Sequence, residues 1–116
     1  MGKLTTHVLD TAHGHPAAGI RVALFALDGA RRLVKEAKTN ADGRCDQPLL
    51  EGDALRGGNY ELVFQVDEYF RALDRTLPSP AFVGEVVLRF GLADPAAHYH
   101  VPLLVSPWSY STYRGS

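Results

Sequence analysis

Short β-type segments that recur at intervals of about ten residues constrain the fold of this chain more than any other feature. The clearest is 59–66 (NYELVFQV), where Tyr60, Leu62, Phe64 and Val66 alternate with Glu61, Val63 and Gln65. Such alternation is typical of a β-strand with two different faces. Further strands are predicted at 4–9, 20–27, 32–39, 82–90, 97–105 and 108–113, with a weaker one at 46–51. This spacing predicts an all-β fold, an antiparallel β-sandwich.

One segment departs from the β pattern. In 67–74 (DEYFRALD) the apolar residues fall at helical spacing, and Asp67 is the predicted N-cap. A single short helix excludes a doubly wound α/β fold. Turns are predicted at 10–19, at Asp28-Gly29 and at 40–43, where Gly43 supplies the positive φ that a tight reversal favours.

Length and charge limit the classes of partner. The 116 residues suit one domain, 1–116, and the single Cys45 cannot form an intramolecular disulfide. The net charge is −1, with 12 basic and 13 acidic residues interspersed, so neither nucleic acid nor an anionic membrane is an expected partner. No apolar run approaches the roughly 18 residues of a membrane span. We expect a cytoplasmic protein, or a periplasmic one if a leader has been removed.

No local catalytic motif is present, so any site must be assembled from separate strands. Because side chains alternate along a strand, His7 shares a face with Thr5 and Leu9, and His100 shares one with His98. If the first and penultimate strands are neighbours, His7 and His100 can converge.

These side chains also allow other interpretations. His98 and His100, with His7 as a third ligand, would resemble a zinc site with an open position, but no acidic residue is placed by the sequence to support it. Arg44, beside a turn, is ordinarily a surface charge. His13 and His15 lie in a Gly/Pro loop and are predicted to be solvated, and Cys45 has no histidine near it in sequence to activate a thiolate.

Three segments carry a family resemblance: 4–10 (LTTHVLD), 40–44 (NADGR), and 98–104 (HYHVPLL) continuing to the terminal 113–116 (YRGS). Together they resemble the 5-hydroxyisourate hydrolases, purine-catabolic enzymes of the transthyretin-like family, across essentially the whole chain. The terminal Tyr-Arg-Gly-Ser is the most specific part, because in that family it separates the hydrolases from the hormone-carrying transthyretins.

The resemblance implies a transthyretin-like β-sandwich of two four-stranded sheets with one short helix. It also implies a homotetramer, built as a dimer of dimers around a central channel that holds the active sites. The implied reaction is hydrolysis of 5-hydroxyisourate to 2-oxo-4-hydroxy-4-carboxy-5-ureidoimidazoline in urate degradation, with no metal and no cofactor.

The resemblance also implies which residues act. His7, Arg44, His100 and Ser116 would be catalytic, and Tyr113, with His7 and Arg44, would bind the substrate. A neutral histidine can activate water near neutral pH, and the guanidinium of Arg44 offers a permanent charge for oxygens of the ring. The sequence leaves open which histidine is the base, and whether Ser116 acts through its hydroxyl or its carboxylate.

Two other functions compete with this one. The first is a non-catalytic carrier of small hormone-like ligands, of the transthyretin type, because a fold does not fix a function. The second is a structural β-sandwich module of a larger surface protein, which the absence of linker segments disfavours.

Overall fold

The computed structural model describes residues 1–115. Nine strands form two sheets, with one α-helix and one short 3₁₀ helix between strands. The strands are β1 (Lys3–Asp10), β2 (His15–Pro16), β3 (Arg21–Leu27), β4 (Arg31–Lys38), β5 (Leu50–Glu51), β6 (Gly58–Gln65), β7 (Glu85–Leu92), β8 (His98–Val105) and β9 (Tyr110–Thr112). The helix α1 spans Val66–Leu73 and the 3₁₀ helix spans Gly52–Ala54.

The two sheets confirm the predicted β-sandwich. One sheet has the order β2-β1-β8-β9, with β5 also paired to β1, and the other has the order β4-β3-β6-β7. The first sheet therefore has five strands where four were expected, because the two-residue strands β2 and β5 pair with opposite ends of β1. Within residues 1–115, the β1–β8 pair is parallel and the other strand pairs are antiparallel.

The core lies between the sheets and follows the alternation of the strands. Leu4 and Val8 point inward from β1, and Leu62 and Phe64 point inward from β6, each with none of its surface exposed. Burying a side chain of this size contributes roughly 1.5–3 kcal/mol. The residues that alternate with Leu4 and Val8 on β1 are left on the outer face of the first sheet, which is where the site lies.

The outer face of β6 is more buried than its alternation suggests. Glu61 is 7 % exposed and Val63 is 5 % exposed, because β6 is an inner strand between β3 and β7. The Glu61 carboxylate is satisfied there by hydrogen bonds from Arg31 at 2.9 Å and from Arg89 at 3.0 Å. Side chains of the neighbouring strands thus cover the second face of β6 as well as the face that meets the core.

Several predicted boundaries move. Helix α1 begins at Val66, and its N-cap residue Gln65 makes no side-chain capping bond, so the prediction that Asp67 caps the helix is wrong. Asp67 lies in the first turn, where its negative charge interacts favourably with the positive end of the helix dipole and stabilises the helix. The strand predicted at 82–90 begins at Glu85, and Phe82 is 75 % exposed in the preceding loop. No helix within residues 1–115 has the length and apolarity needed to cross a membrane.

Candidate active site

Two histidines meet on the outer face of the first sheet. Strands β1 and β8 are parallel neighbours, and their register sets Thr5 opposite His100, with His7 two residues further along β1. The ring centroids of His7 and His100 are 6.3 Å apart, with the ring planes inclined by 40°. The sequence predicted that His7 and His100 can converge if their strands are neighbours, and the structure places the two strands side by side and the two rings together.

Arg44 reaches the same face because its loop is attached to β1. The side-chain oxygen of Asn40 accepts a hydrogen bond from the Arg44 backbone N–H at 3.2 Å, and Gly43 has the predicted positive φ, 74°. The Val8 N–H donates to the Gly43 carbonyl at 2.8 Å, and His7 and Arg44 form an isolated antiparallel β-bridge. Residues bridged in this way project their side chains to the same side of a sheet.

A small open cavity of about 260 Å³ lies beside these residues. It is lined by Lys3, Thr5, Arg44, His98, Tyr99 and His100. None of these six side chains is a carboxylate, and Lys3 and Arg44 carry fixed positive charge. The cavity therefore suits a polar ligand with negative or partly negative oxygens.

Burial and positive charge keep both histidines neutral. Desolvation by burial is the main reason that the pKa of His7 is lowered, and the charge of Arg44 lowers it further, while the backbone carbonyl of Asp42 acts in the opposite direction. The pKa of His100 is lowered by burial first, then by Arg44 and His7. With pKa values below the ordinary 6.5, both rings are neutral at physiological pH and can accept a proton.

The ring of His100 has a specific hydrogen-bond partner. Its Nδ1 lies 2.8 Å from the hydroxyl of Thr5, the residue directly opposite on β1. From the sequence, Thr5 was recognised only as sharing a face with His7, and no role was predicted for it. Parity along β1 signals that a hydroxyl lies on the histidine face, but the contact depends on the register between β1 and β8.

The two predicted site residues at the end of the chain differ in what the structure says of them. Tyr113 is 62 % exposed and lines a different, 330 Å³ groove, between the edges of β7 and β9, so within one chain it is not brought to the His100 cavity. Ser116 lies outside the described residues. Its neighbour Gly115 forms an isolated bridge with His100 and donates a backbone hydrogen bond to the His100 carbonyl at 2.7 Å.

The remaining histidines and the cysteine make other contacts, although His98 also lines the cavity. His98 is exposed, and its Nε2 is 3.1 Å from the Met1 carbonyl oxygen. His13 was predicted to be solvated, and its side chain is 47 % exposed, while its Nδ1 also lies 2.7 Å from the buried carboxylate of Asp10. Burial raises the pKa of the Cys45 thiol, which disfavours the thiolate. Within residues 1–115, no three His, Cys, Asp or Glu side chains are placed to hold a metal ion together.

Comparison with known proteins gives close relatives. The model of the HIUase/Transthyretin family matches residues 4–115. A 5-hydroxyisourate hydrolase of Ralstonia nicotianae is 61 % identical over the full length of both chains. A 5-hydroxyisourate hydrolase of Pseudomonas aeruginosa is 57 % identical, covering all of this chain and 93 % of its own.

Solved structures agree. The crystal structure of an (S)-allantoin synthase superposes with a TM-score of 0.94 at 47 % identity over 99 % of this chain, which spans 44 % of that longer chain. The 5-hydroxyisourate hydrolase of Klebsiella pneumoniae gives 0.82 at 30 % identity over the whole of both chains. Sea bream transthyretin in complex with thyroxine gives 0.83 at 26 % identity, over 97 % of this chain and 94 % of its own. The chain belongs to the HIUase/transthyretin family.

Proposed function

We propose that this chain is an enzyme that hydrolyses 5-hydroxyisourate to 2-oxo-4-hydroxy-4-carboxy-5-ureidoimidazoline. One observation carries the proposal: two neutral histidines and an arginine, His7, His100 and Arg44, converge beside an open cavity on one sheet face. Full-length relatives at 57–61 % identity bear the name of this hydrolase. Purine catabolism is the corresponding metabolic setting.

The proposed reaction begins with water held by the histidine pair. One imidazole takes a proton from the water as its oxygen attacks an acyl carbon of the six-membered ring, so a C–O bond forms and the carbonyl becomes an oxyanion. Collapse of that intermediate breaks the C–N bond. The imidazolium then returns its proton to the departing nitrogen, and the acyl carbon ends as a carboxylic acid, which releases its proton to solvent and becomes a carboxylate. The reaction involves no oxidation or reduction.

Arg44 supplies the positive charge in this scheme. Its guanidinium can orient oxygens of the ring and stabilise the oxyanion as charge develops there. The same charge lowers the pKa of both histidines and so favours their basic form. Tyr113 and Ser116 remain proposed participants: Tyr113 lies on an exposed edge from which a neighbouring chain can be reached, and Ser116 follows the glycine that packs on His100.

The test is turnover of freshly generated 5-hydroxyisourate, followed by loss of its absorbance, with protein pretreated with a strong chelator. We expect full activity after chelation. The His7→Asn protein is the negative control. Spontaneous decay at the same rate with and without protein would overturn the proposed function. Activity that is lost on chelation and restored by zinc would instead overturn the metal-free mechanism.

The alternative is a carrier of transthyretin type. It rests on the structural likeness to a transthyretin that was crystallised with thyroxine. The ionisable side chains of the candidate site favour the hydrolase, since a pocket for an apolar ligand is lined mostly by hydrophobic side chains. Saturable binding of thyroxine without hydrolysis of 5-hydroxyisourate would establish the carrier instead.

We further propose a homotetramer, a dimer of dimers. Within residues 1–115, β7 and β9 are each paired on one side only, and they border the groove between the sheets. Val87, Tyr110 and Tyr113 at these edges are 40 %, 49 % and 62 % exposed. Unpaired strands with exposed apolar side chains favour pairing with a second copy. Sedimentation should give about four times the chain mass, and a monomer at micromolar concentration would contradict the assembly.

A further inference from the structure

The hydrogen bond between Thr5 and His100 carries an inference beyond the proposed reaction. The Thr5 hydroxyl lies 2.8 Å from Nδ1 of His100, and both residues are half-buried on the outer face of the sheet. The pairing register places them directly opposite one another on β1 and β8. The contact is therefore built into the sheet and does not depend on a mobile loop.

Histidines that act as acids or bases are usually oriented by a third group, most often a carboxylate. Within residues 1–115, no carboxylate is hydrogen-bonded to the His100 ring. The titratable and charged side chains that face this region from β1, the Arg44 loop, β8 and the terminal segment are Lys3, His7, Asp42, Arg44, His98 and Arg114, and the charge of Asp42 acts on His7. The orienting group of His100 is thus a neutral hydroxyl in a predominantly cationic environment.

A hydroxyl is a suitable hydrogen-bond partner for an imidazole that gains and loses a proton during the reaction. It can donate to Nδ1 when that nitrogen is bare and accept from Nδ1 when that nitrogen carries a proton. A backbone carbonyl can only accept and a backbone N–H can only donate, so either would favour one protonation state. Thr5 can keep its bond to His100 while the other ring nitrogen, Nε2, exchanges a proton with water or substrate.

The opposite side of the His100 ring is confined by the terminal segment. A methyl group placed on Gly115 would lie 2.9 Å from Cδ2 and 3.1 Å from Cβ of His100, closer than side-chain carbons tolerate. The ring is therefore held between the Thr5 hydroxyl and the backbone of Gly115.

We propose that Thr5 is a positioning residue that fixes the orientation of the His100 ring in either protonation state, and so directs Nε2 of His100 at the reacting water or substrate. The proposal rests on the proposed hydrolysis. It assigns Thr5 no direct contact with the reacting atoms. Its effect on the reaction is transmitted through the His100 ring.

The experiment compares Thr5→Val, which removes the hydroxyl at constant shape, with Thr5→Ser, which keeps it. We expect Thr5→Val to lower kcat by about 10- to 100-fold with KM within about threefold, because a misaligned catalytic group can cost on the order of 10² in rate. Thr5→Ser should recover kcat to within a few-fold. Thr6→Val is the matched control: the Thr6 hydroxyl donates to the Val101 carbonyl at 2.7 Å on the buried face, so its loss should lower stability and leave kcat unchanged.

A second measurement does not need turnover. In protein labelled with ¹⁵N at histidine, the chemical shifts of Nδ1 and Nε2 report the protonation and the hydrogen bonding of each ring nitrogen of His100. We expect the same hydrogen-bonded Nδ1 shift in the wild type and in Thr5→Ser, and a shifted Nδ1 signal in Thr5→Val, which lacks the hydroxyl. Wild-type kcat together with unchanged ¹⁵N shifts in Thr5→Val would overturn the role of Thr5 while leaving the hydrolase function intact. If Thr5→Val fails to fold, a wild-type Nδ1 shift that shows no hydrogen bond to this nitrogen would overturn it equally.

Discussion

The backbones of His7 and Arg44 pair in an isolated antiparallel bridge, so a permanent cation is held beside a titratable ring by main-chain geometry. Next to this bridge, the Val8 N–H donates a hydrogen bond to the Gly43 carbonyl at 2.8 Å. Together the two contacts attach the Arg44 loop to β1. The electrostatic effect of Arg44 on the histidines is therefore a property of the fold and not of a flexible side chain alone.

Replacing Arg44 by Gln should shift the acid limb of the pH–rate profile to higher pH. Both histidines have pKa values below 6.5, in part because of the Arg44 charge, so removing that charge raises both pKa values. As the pH falls, the variant then loses its neutral base earlier than the wild type does. The measurement is kcat/KM from about pH 5 to pH 8, the range in which histidine titrates. Arg44→Lys keeps the charge and is the control; an unmoved acid limb in Arg44→Gln would contradict the electrostatic role.

His7→Asn and His100→Asn should each lower turnover by roughly 10²-fold or more, since a positioned acid or base typically contributes 10² to 10⁴. The fold should persist, because both rings lie on the outer face of the sheet and outside the core. His15→Asn is the exposed control and should retain full turnover. A comparable loss from His15→Asn would show that the site has been placed on the wrong residues.

Asp10→Asn should reduce stability without removing activity. Burial opposes ionisation of this fully buried carboxylate, but hydrogen bonds from Tyr69 and from His13 outweigh it and lower the pKa of Asp10. An amide cannot accept all of these bonds, and a buried group left unsatisfied costs about 1–3 kcal/mol. Tyr69→Phe, which removes the 2.8 Å bond from the Tyr69 hydroxyl, should cost part of the same amount.

The stability lost in Asp10→Asn should be largest at neutral pH and should shrink in acid. Because the folded-state pKa of Asp10 is lowered, its stabilising contribution is complete above the unfolded pKa of about 4 and disappears as the pH falls through the lowered value. Urea unfolding at neutral and acidic pH measures it. The wild type and Asp10→Asn should converge in stability on acidification. Asp28→Asn, at an exposed ion pair with Arg32, should show little change at either pH, and an equal effect there would argue against burial as the cause.

Gly43→Ala should lose both stability and turnover. Gly43 has φ 74°, which an L-residue adopts at a cost of roughly 1–2 kcal/mol, and an added Cβ would collide with the Val8 carbonyl oxygen. Gly14→Ala is the matched control, since Gly14 has φ 76° and open space around it. We expect Gly43→Ala to unfold at lower urea than Gly14→Ala and, because Arg44 is displaced, to turn over more slowly. Equal behaviour of the two variants would show that the contact with β1 is unimportant.

Deleting Arg114 to Ser116 should lower turnover far more than stability. Within the described part of this segment, Gly115 confines the His100 ring and Arg114 stacks on Tyr99, 4.5 Å from the ring centroid. Loss of the exposed Arg114 and the half-buried Gly115 should change the free energy of unfolding by about 1 kcal/mol or less, whereas displacing His100 can cost on the order of 10² in rate. Full activity in the truncated protein would remove the terminal segment from the mechanism.

Much of the fold was predictable because it depends on local patterns. The alternation in 59–66 is sufficient to predict a strand with two different faces, and the period of 67–74 is sufficient to predict a helix. Local patterns do not show how deeply each face is buried. Glu61 and Val63 are buried although they lie on the face away from the core, because side chains of β3, β4 and β7 cover it.

The same distinction between local pattern and tertiary structure applies to the candidate site. The sequence alone determined that His7 and Thr5 share one strand face, that His98 and His100 share another, and that Gly43 turns the chain before Arg44. Only the tertiary structure decided that β1 and β8 are parallel neighbours with Thr5 opposite His100, and that the Arg44 loop bridges to His7. The physical reason is that side-chain parity is a property of a single strand, whereas register and strand order follow from packing the two sheets over one shared core.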